Sequence, residues 1–60
     1  MTLGQKIKAV RLERGMTQKE LAGDTITRNM LSKIENDSAT PSVRTLEHLA
    51  GALGLPTGYF

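Results

Sequence analysis

The chain has 60 residues and therefore forms one domain at most. It contains no cysteine that could form a disulfide or ligate a metal. It has no run of about 18 apolar residues that could span a membrane, and its first ten residues lack the apolar stretch of a secretory signal. We therefore expect a cytoplasmic protein. A hydrophobic content of 38% with 3% aromatic residues suits a small helical bundle.

The net charge of +2 is unevenly distributed along the chain. Residues 1–19 carry five basic side chains and one acidic side chain, whereas residues 20–60 carry three basic and five acidic ones. A basic surface can meet nucleic acid. Charge alone favours the plainer interpretation, which is a solvated helix face.

The first predicted helix spans residues 3–14 and ends at Gly15, a residue typical of the position after a helix. Its apolar residues recur at the spacing of one helix face: Leu3, Ile7 and Val10. Arg11 lies at the edge of this apolar stripe. A charge that is partly buried there needs a partner.

Residues 17–36 are predicted to form two short helices joined by a tight turn, and the rest of the chain is expected to support them. Thr17 and Glu20 have the T-x-x-E pattern of a capping box, which begins the second helix. Residues 23–25 favour a turn, and Thr27 is a good N-cap for the third helix. Leu31 and Ile34 form the inward side of that helix.

The outward side of the third predicted helix is polar and almost free of carboxylates. Its side chains can donate hydrogen bonds to base edges or phosphates: Arg28, Asn29, Ser32, Lys33 and Asn36. Glu35 is the exception, and it falls near the apolar edge, where a partner for Arg11 would have to lie. Met30 flanks the outward side, and two interpretations stay open for it: partial core packing or contact with a thymine methyl.

The fourth predicted helix begins at Thr40 or Ser42, and we favour Ser42. The apolar stripe of this helix comprises Val43, Leu46, Leu49, Ala50 and Leu53. His48 falls on the opposite face, with no second His, Cys or carboxylate at ligand spacing, so we expect a surface residue. Pro56 can begin a fifth helix, which stops after one turn.

The predicted fold is thus all-α: a compact bundle of five short helices in a single domain over residues 1–60. We expect the chain to be an N-terminal piece of a longer protein. No arrangement of residues suggests catalysis, a metal site or a cofactor, so we expect a protein that is not an enzyme.

Taken in order, these motifs resemble the lambda-repressor-like helix-turn-helix family, the Cro or xenobiotic-response-element (XRE) type of bacterial and phage regulators. The similarity covers residues 3–60. The segments that carry it are Leu3-x3-Ile7-x2-Val10-Arg11, Gly15-Met16-Thr17-Gln18-x2-Leu21-Ala22, Ile26-Thr27-Arg28, Leu31-Ser32-Lys33-Ile34-Glu35-Asn36, Pro41-Ser42-x2-Thr45-Leu46 and Leu49-Ala50-x2-Leu53-Gly54-Leu55.

The resemblance implies that the second helix of the motif, residues 27–35, lies in the major groove of DNA. The residues that would then contact bases or phosphates are Gln18, Thr27, Arg28, Asn29, Ser32, Lys33, Asn36, Ser38 and Arg44. Gln18 lies at a helix N-terminus, where the helix dipole favours an anion. The resemblance also implies that Arg11 and Glu35 form an ion pair between the first and third helices.

The function implied by the resemblance is sequence-specific binding of double-stranded DNA by a bacterial or phage-type transcriptional regulator, a repressor. A homodimer would bind a near-palindromic operator and would dimerise through the region after Leu53 or through a further C-terminal domain. The alternative is a protein-interaction module of the same fold, such as an antitoxin head or a coactivator adaptor, with DNA binding secondary or absent.

The turn of the motif departs from the family pattern. The family has roughly L-A-x-x-x-G-V-S between the helices, whereas residues 21–27 are one residue shorter and place Gly at position 23. We therefore expect the second helix to end early, with Gly23 in a left-handed conformation, and the third helix to be slightly displaced.

Overall fold

A computed structural model of the protein describes residues 1–56 and 58–60. These residues contain no strand, so the all-α class is confirmed. No helix within the described part of the chain is long and apolar enough to cross a membrane. Residues 1–56 and 58–60 contain four helices: α1 (Leu3–Glu13), α2 (Gln18–Ala22), α3 (Arg28–Glu35) and α4 (Val43–Ala52).

The predicted fifth helix is absent from the described residues, and Thr57 lies outside them. The backbone N–H of Tyr59 donates to the carbonyl of Pro56 at 3.0 Å. Gly58 has a φ of 86°, far from helical values. The Phe60 side chain instead packs against the core, and its ring meets that of Tyr59 edge-on.

The predicted N-caps are confirmed. The Thr17 hydroxyl accepts from the N–H of Glu20 at 3.0 Å, and the Glu20 carboxylate accepts from the N–H of Thr17 at 2.8 Å. Thr27 caps α3 and Ser42 caps α4, which decides between Thr40 and Ser42. Each cap pairs a backbone N–H that the first helical turn leaves free.

The N-terminus of α1 is joined to the end of α3 by contacts that the sequence analysis missed. Thr2 and Gln5 form a second capping box. The Thr2 hydroxyl also donates to the Asp37 carboxylate at 2.6 Å, and the N–H of Gly4 donates to the same carboxylate at 3.1 Å. A negative charge at this position is favoured by the dipole of α1.

Gly4 permits this close approach of α1 to α3. A Cβ at position 4 would overlap the carbonyl oxygen of Ile34 and would lie 2.7 Å from both the carbonyl oxygen of Glu35 and a carboxylate oxygen of Asp37. Any side chain at position 4 would therefore push α1 away from the C-terminal end of α3.

The hydrophobic core lies between the four helices. Its fully buried members are Ile7, Leu21, Ala22, Leu31, Ile34, Leu49 and Leu53. Val43 was predicted to join the apolar stripe of α4, and that was wrong, because its side chain is 72% exposed. It is the first residue of α4 and lines a surface cavity of about 160 Å³ beside Leu46 and Phe60.

The turn between α2 and α3 has the short path expected from the sequence. Helix α2 ends at Ala22, and Gly23 has a φ of 55° and a ψ of −137°. The ψ is not that of a left-handed helical residue, but the predicted positive φ is confirmed. Combined with this ψ, it is a backbone conformation that is in practice open only to glycine.

We expect Gly4→Ala to lower the free energy of unfolding by about 1–3 kcal/mol, because the added methyl overpacks the contact of α1 with α3. Gly51→Ala is the matched control, since a Cβ there meets nothing within 4 Å. It should stabilise α4 by about 0.5–1 kcal/mol. Urea denaturation followed by circular dichroism measures both, and equal effects would contradict the close approach at Gly4.

The capping box of α2 predicts a specific acid dependence. Hydrogen bonds from the backbone and side chain of Thr17 lower the pKa of Glu20 below its ordinary value of 4.5. A carboxyl whose folded-state pKa is depressed contributes stability above its unfolded pKa and loses it as the pH falls through the folded value. Below about pH 4.5 wild type should therefore lose stability that Glu20→Gln, which keeps an N3 cap, does not lose.

The midpoint of urea denaturation, measured at several pH values between about pH 3 and pH 7, reports this difference. Glu47→Gln, which changes an exposed residue of α4, is the control. Parallel acid profiles for wild type and Glu20→Gln would contradict the predicted role of the carboxylate.

Candidate nucleic-acid interface

Helix α3 has one buried face and one exposed face. The Leu31 and Ile34 side chains are buried in the core, where α3 packs against α1 and α2. This orientation leaves Arg28, Asn29 and Lys33 exposed on the other side of the helix. Ser32 lies between the two faces and is half-buried.

The exposed face of α3 is free to bind an anion. Within residues 1–56 and 58–60 the ion pairs are Arg11 with Glu35 and Arg14 with Glu13, so the cations of Arg28 and Lys33 have no carboxylate partner there. The Asn29 amide carries both donors and an acceptor. These groups can hydrogen-bond phosphates and base edges.

Thr27 and Met30 lie at the N-terminal end of this face. The Thr27 hydroxyl oxygen accepts from the N–H of Met30 at 3.0 Å, while its own hydrogen remains a donor. Met30 is 41% exposed. Its side chain is therefore available for contact with an apolar group as well as for packing.

The other predicted contact residues lie outside the face of α3. Asn36 is the C-cap of α3, Ser38 lies in the following loop, and Arg44 is the second residue of α4; all three are exposed. Gln18 begins α2 and is half-buried. The structure thus places the predicted residues on three segments around α3.

Arg11 and Glu35 lie against each other, with side chains only 9% and 1% exposed. Arg11 Nε donates to Glu35 Oε2 at 2.7 Å, and Nη2 donates to Oε1 at 3.1 Å. This bidentate geometry is the strong form of an arginine–carboxylate contact. It connects the last turn of α1 to the last residue of α3.

Two further hydrogen bonds complete a network around this ion pair. Arg11 Nη1 donates to the carbonyl of Met16 at 2.9 Å, and Gln18 Nε2 donates to Glu35 Oε1 at 3.1 Å. Across the described residues, every buried side-chain nitrogen and oxygen has a hydrogen-bond partner. The network fixes the start of α2 relative to the end of α3, and it orients the Gln18 amide.

His48 was predicted to be a surface residue on the outer face of α4, and that was wrong. It is half-buried, with Nε2 3.0 Å from the carbonyl oxygen of Leu21 and Nδ1 3.1 Å from the Thr25 hydroxyl. The side of α4 that carries His48 meets the C-terminal end of α2. A backbone carbonyl is one of its partners, and such a partner leaves no signal in the sequence.

The structure also adds Asp37 and Arg14 to the residues that support the motif. Asp37 caps α1, as described above, and Arg14 Nε donates to the carbonyl of Leu53 at 3.0 Å, joining the ends of α1 and α4. Among the described residues, no group of three or more His, Cys, Asp or Glu side chains could bind a metal ion.

Comparison with known proteins agrees with this geometry. The model of the helix-turn-helix family matches residues 7–60, so the chain belongs to the helix-turn-helix family. The resemblance to the lambda-repressor-like type is thereby confirmed. A curated relative is the immunity repressor protein of Bacillus phage phi105, with 52% identity over 56 residues, or 92% of this chain. The chain spans 39% of that relative's length.

The buried ion pair predicts a strong asymmetry between single and double substitutions. Arg11→Met should lower the free energy of unfolding by about 3–5 kcal/mol, because it leaves the Glu35 carboxylate buried without its partner. Replacing both residues, as in Arg11→Met with Glu35→Leu, should recover much of that loss.

Urea denaturation measures these stabilities, and Lys8→Met, which removes an exposed charge from the same helix, is the control and should change little. If the double variant were less stable than Arg11→Met alone, the unpaired carboxylate would not be the source of the loss.

Proposed function

We propose that the protein binds double-stranded DNA in a sequence-specific manner as a transcriptional repressor, with α3 as the recognition helix in the major groove. The observation that carries this proposal is the exposed face of α3, where Arg28, Asn29 and Lys33 project opposite the buried Leu31 and Ile34. A single helix of this size fits the major groove. The family membership and the phage immunity repressor support the same function.

The recognition helix divides its contacts by chemistry. The Arg28 guanidinium suits the O6 and N7 acceptors of guanine, and the Asn29 amide suits the N6 and N7 of adenine. Ser32 and Lys33 supply further donors along the same helix. Thr27 offers a hydroxyl hydrogen at the N-terminus of α3.

The surrounding residues bind the phosphate backbone and set the register of α3 on the duplex. Gln18, Asn36, Ser38 and Arg44 take this role. Gln18 combines a backbone N–H at the start of α2 with a side-chain amide whose position is fixed by Glu35. Arg44 is an exposed cation without a carboxylate partner in the described residues.

We further propose that the protein acts as a homodimer on a near-palindromic operator. Two copies of α3 would then enter successive major grooves about 34 Å apart. In this role the protein acts by binding alone, as a regulator and not as an enzyme. It would act in the cytoplasm, where bacterial and phage operators lie.

A protein-interaction module is the second candidate function. The observation that favours it is the apolar cavity of about 160 Å³ beside Val43, Leu46 and Phe60. Val43 is 72% exposed there, so a partner protein could bury this apolar surface. The two functions differ in their response to salt: each phosphate contact releases counterions from the DNA, so DNA affinity falls as the salt concentration rises, whereas an apolar protein contact lacks this steep fall.

Selection of bound sites from random duplex DNA, followed by titration of the selected site, tests the proposal. Arg28→Ala and Asn29→Ala should each weaken binding by about 1–3 kcal/mol and should relax the preference at one base position. Lys8→Ala removes a cation from α1 and is expected to leave base preference unchanged.

The DNA affinity of wild type should also fall steeply with salt concentration. Unchanged affinity and base preference in both α3 variants would show that α3 is not the recognition helix. Absence of any selected site would favour the protein-interaction module.

A further inference from the structure

The imidazole of His48 connects α4 to the turn of the helix-turn-helix motif. Its two ring nitrogens contact two different partners, the Leu21 carbonyl at 3.0 Å and the Thr25 hydroxyl at 3.1 Å. A carbonyl oxygen only accepts, so Nε2 carries the hydrogen and donates to Leu21. In the neutral ring Nδ1 then accepts the hydrogen of the Thr25 hydroxyl.

The Leu21 carbonyl belongs to the last turn of α2, where helical carbonyls lack a partner within the helix. Helix α2 has only five residues, and a helix of this length is only marginally stable by itself, so it contributes little to the stability of the turn. His48 therefore stabilises both the end of α2 and the turn that follows.

The ring also packs beside the backbone of the turn. A Cβ on Gly23 would lie 3.6 Å from Cε1 of His48, which is ordinary van der Waals contact. Residues 23–25 are themselves exposed, and a backbone bond from Thr25 to the carbonyl of Ala22 is long, at 3.3 Å. The contacts with His48 therefore stabilise the backbone conformation of this turn.

The path of the turn determines where α3 begins. Three residues separate Ala22 from Ile26, and α3 starts after the Thr27 cap. The far end of α3 is fixed independently, because Glu35 contacts Arg11 and Gln18. One end of α3 thus depends on the ion pair, and the other on the turn beside His48 together with Ile26, which packs against the core.

We propose that His48, acting through the Leu21 carbonyl and the Thr25 hydroxyl, is a positioning residue that sets the placement of the N-terminal end of α3 and thereby its discrimination between DNA sequences. This inference rests on the proposed function of α3 as the recognition helix. It concerns base discrimination, because Arg28 and Asn29 occupy the first two positions of α3, directly after the turn.

The experiment measures the ratio of affinities for the selected operator and for a scrambled duplex of equal length. His48→Ala should lower this ratio about tenfold, equivalent to ~1.4 kcal/mol, while affinity for the scrambled duplex, which depends on phosphate contacts, stays unchanged. Thr25→Val, which removes only the hydroxyl, should lower the ratio less, and the double variant should lose no more than His48→Ala.

His48→Gln should restore most of the ratio, because its amide can still donate to the Leu21 carbonyl. Leu46→Ala is the control for general destabilisation. It removes a half-buried side chain of the same helix that packs against the core and lines the surface cavity, so it should lower the midpoint of urea denaturation and leave the ratio unchanged. If His48→Ala does not fold, Thr25→Val and His48→Gln carry the test.

Amide hydrogen exchange gives a second measurement that needs no DNA. The amide of Thr25 should exchange faster in His48→Ala than in wild type, whereas in Leu46→Ala it should not be selectively affected. An unchanged affinity ratio in His48→Ala and Thr25→Val, or a loss of the same size in Leu46→Ala, would overturn the positioning role. Failure of wild type to prefer any duplex would overturn the proposed function itself, which separates the two conclusions.

Discussion

The carboxylate of Glu35 lies at the C-terminal end of α3, where the helix dipole disfavours a negative charge and where almost no solvent reaches it. Its burial is tolerated because Arg11 binds both of its oxygens and because Gln18 adds a third hydrogen bond. Arg11 in turn lies in the last turn of α1, where a positive charge is favourable. One ion pair therefore fixes three helices relative to one another, and the placement of the exposed face of α3 depends on it.

A second carboxylate near the same end of α3, that of Asp37, contacts the opposite end of α1 from the one that Glu35 contacts. Asp37, which follows the C-cap of α3, has a positive φ of 61°, and its carboxylate lies at the N-terminus of α1. Glu35 and Asp37 thus contact opposite ends of one helix. These two contacts require glycine at position 4, because only a residue without a side chain allows the backbone of α1 to approach the carbonyl oxygens of Ile34 and Glu35 so closely. A 60-residue chain buries little surface, and such polar contacts compensate for its small core.

The features that could be predicted from the sequence depend on neighbours along the chain. The caps at Thr17, Thr27 and Ser42 are local, and the inward positions of Leu31 and Ile34 follow from helical spacing. The proximity of Arg11 and Glu35 could be predicted because helical angles placed both residues at apolar edges and because the family resemblance paired them. The contacts of His48, Asp37 and Gly4 join residues 23 to 35 positions apart, and many of them involve backbone atoms. Those contacts depend on how the helices pack, which no local pattern specifies.

The side chains that support α3 contact only its ends, its buried face or the turn before it. Arg11 contacts its C-terminal end, His48 contacts the turn that precedes its N-terminal end, and Leu31 and Ile34 are buried in the core. None of these contacts uses the side chains of Arg28, Asn29 or Lys33, which are exposed. Because surface positions without such partners contribute little to stability, the residues that would select a DNA sequence are energetically separate from those that place the helix. A change of base preference would therefore require no change in the scaffold, whereas a change in the scaffold would alter how α3 approaches every base.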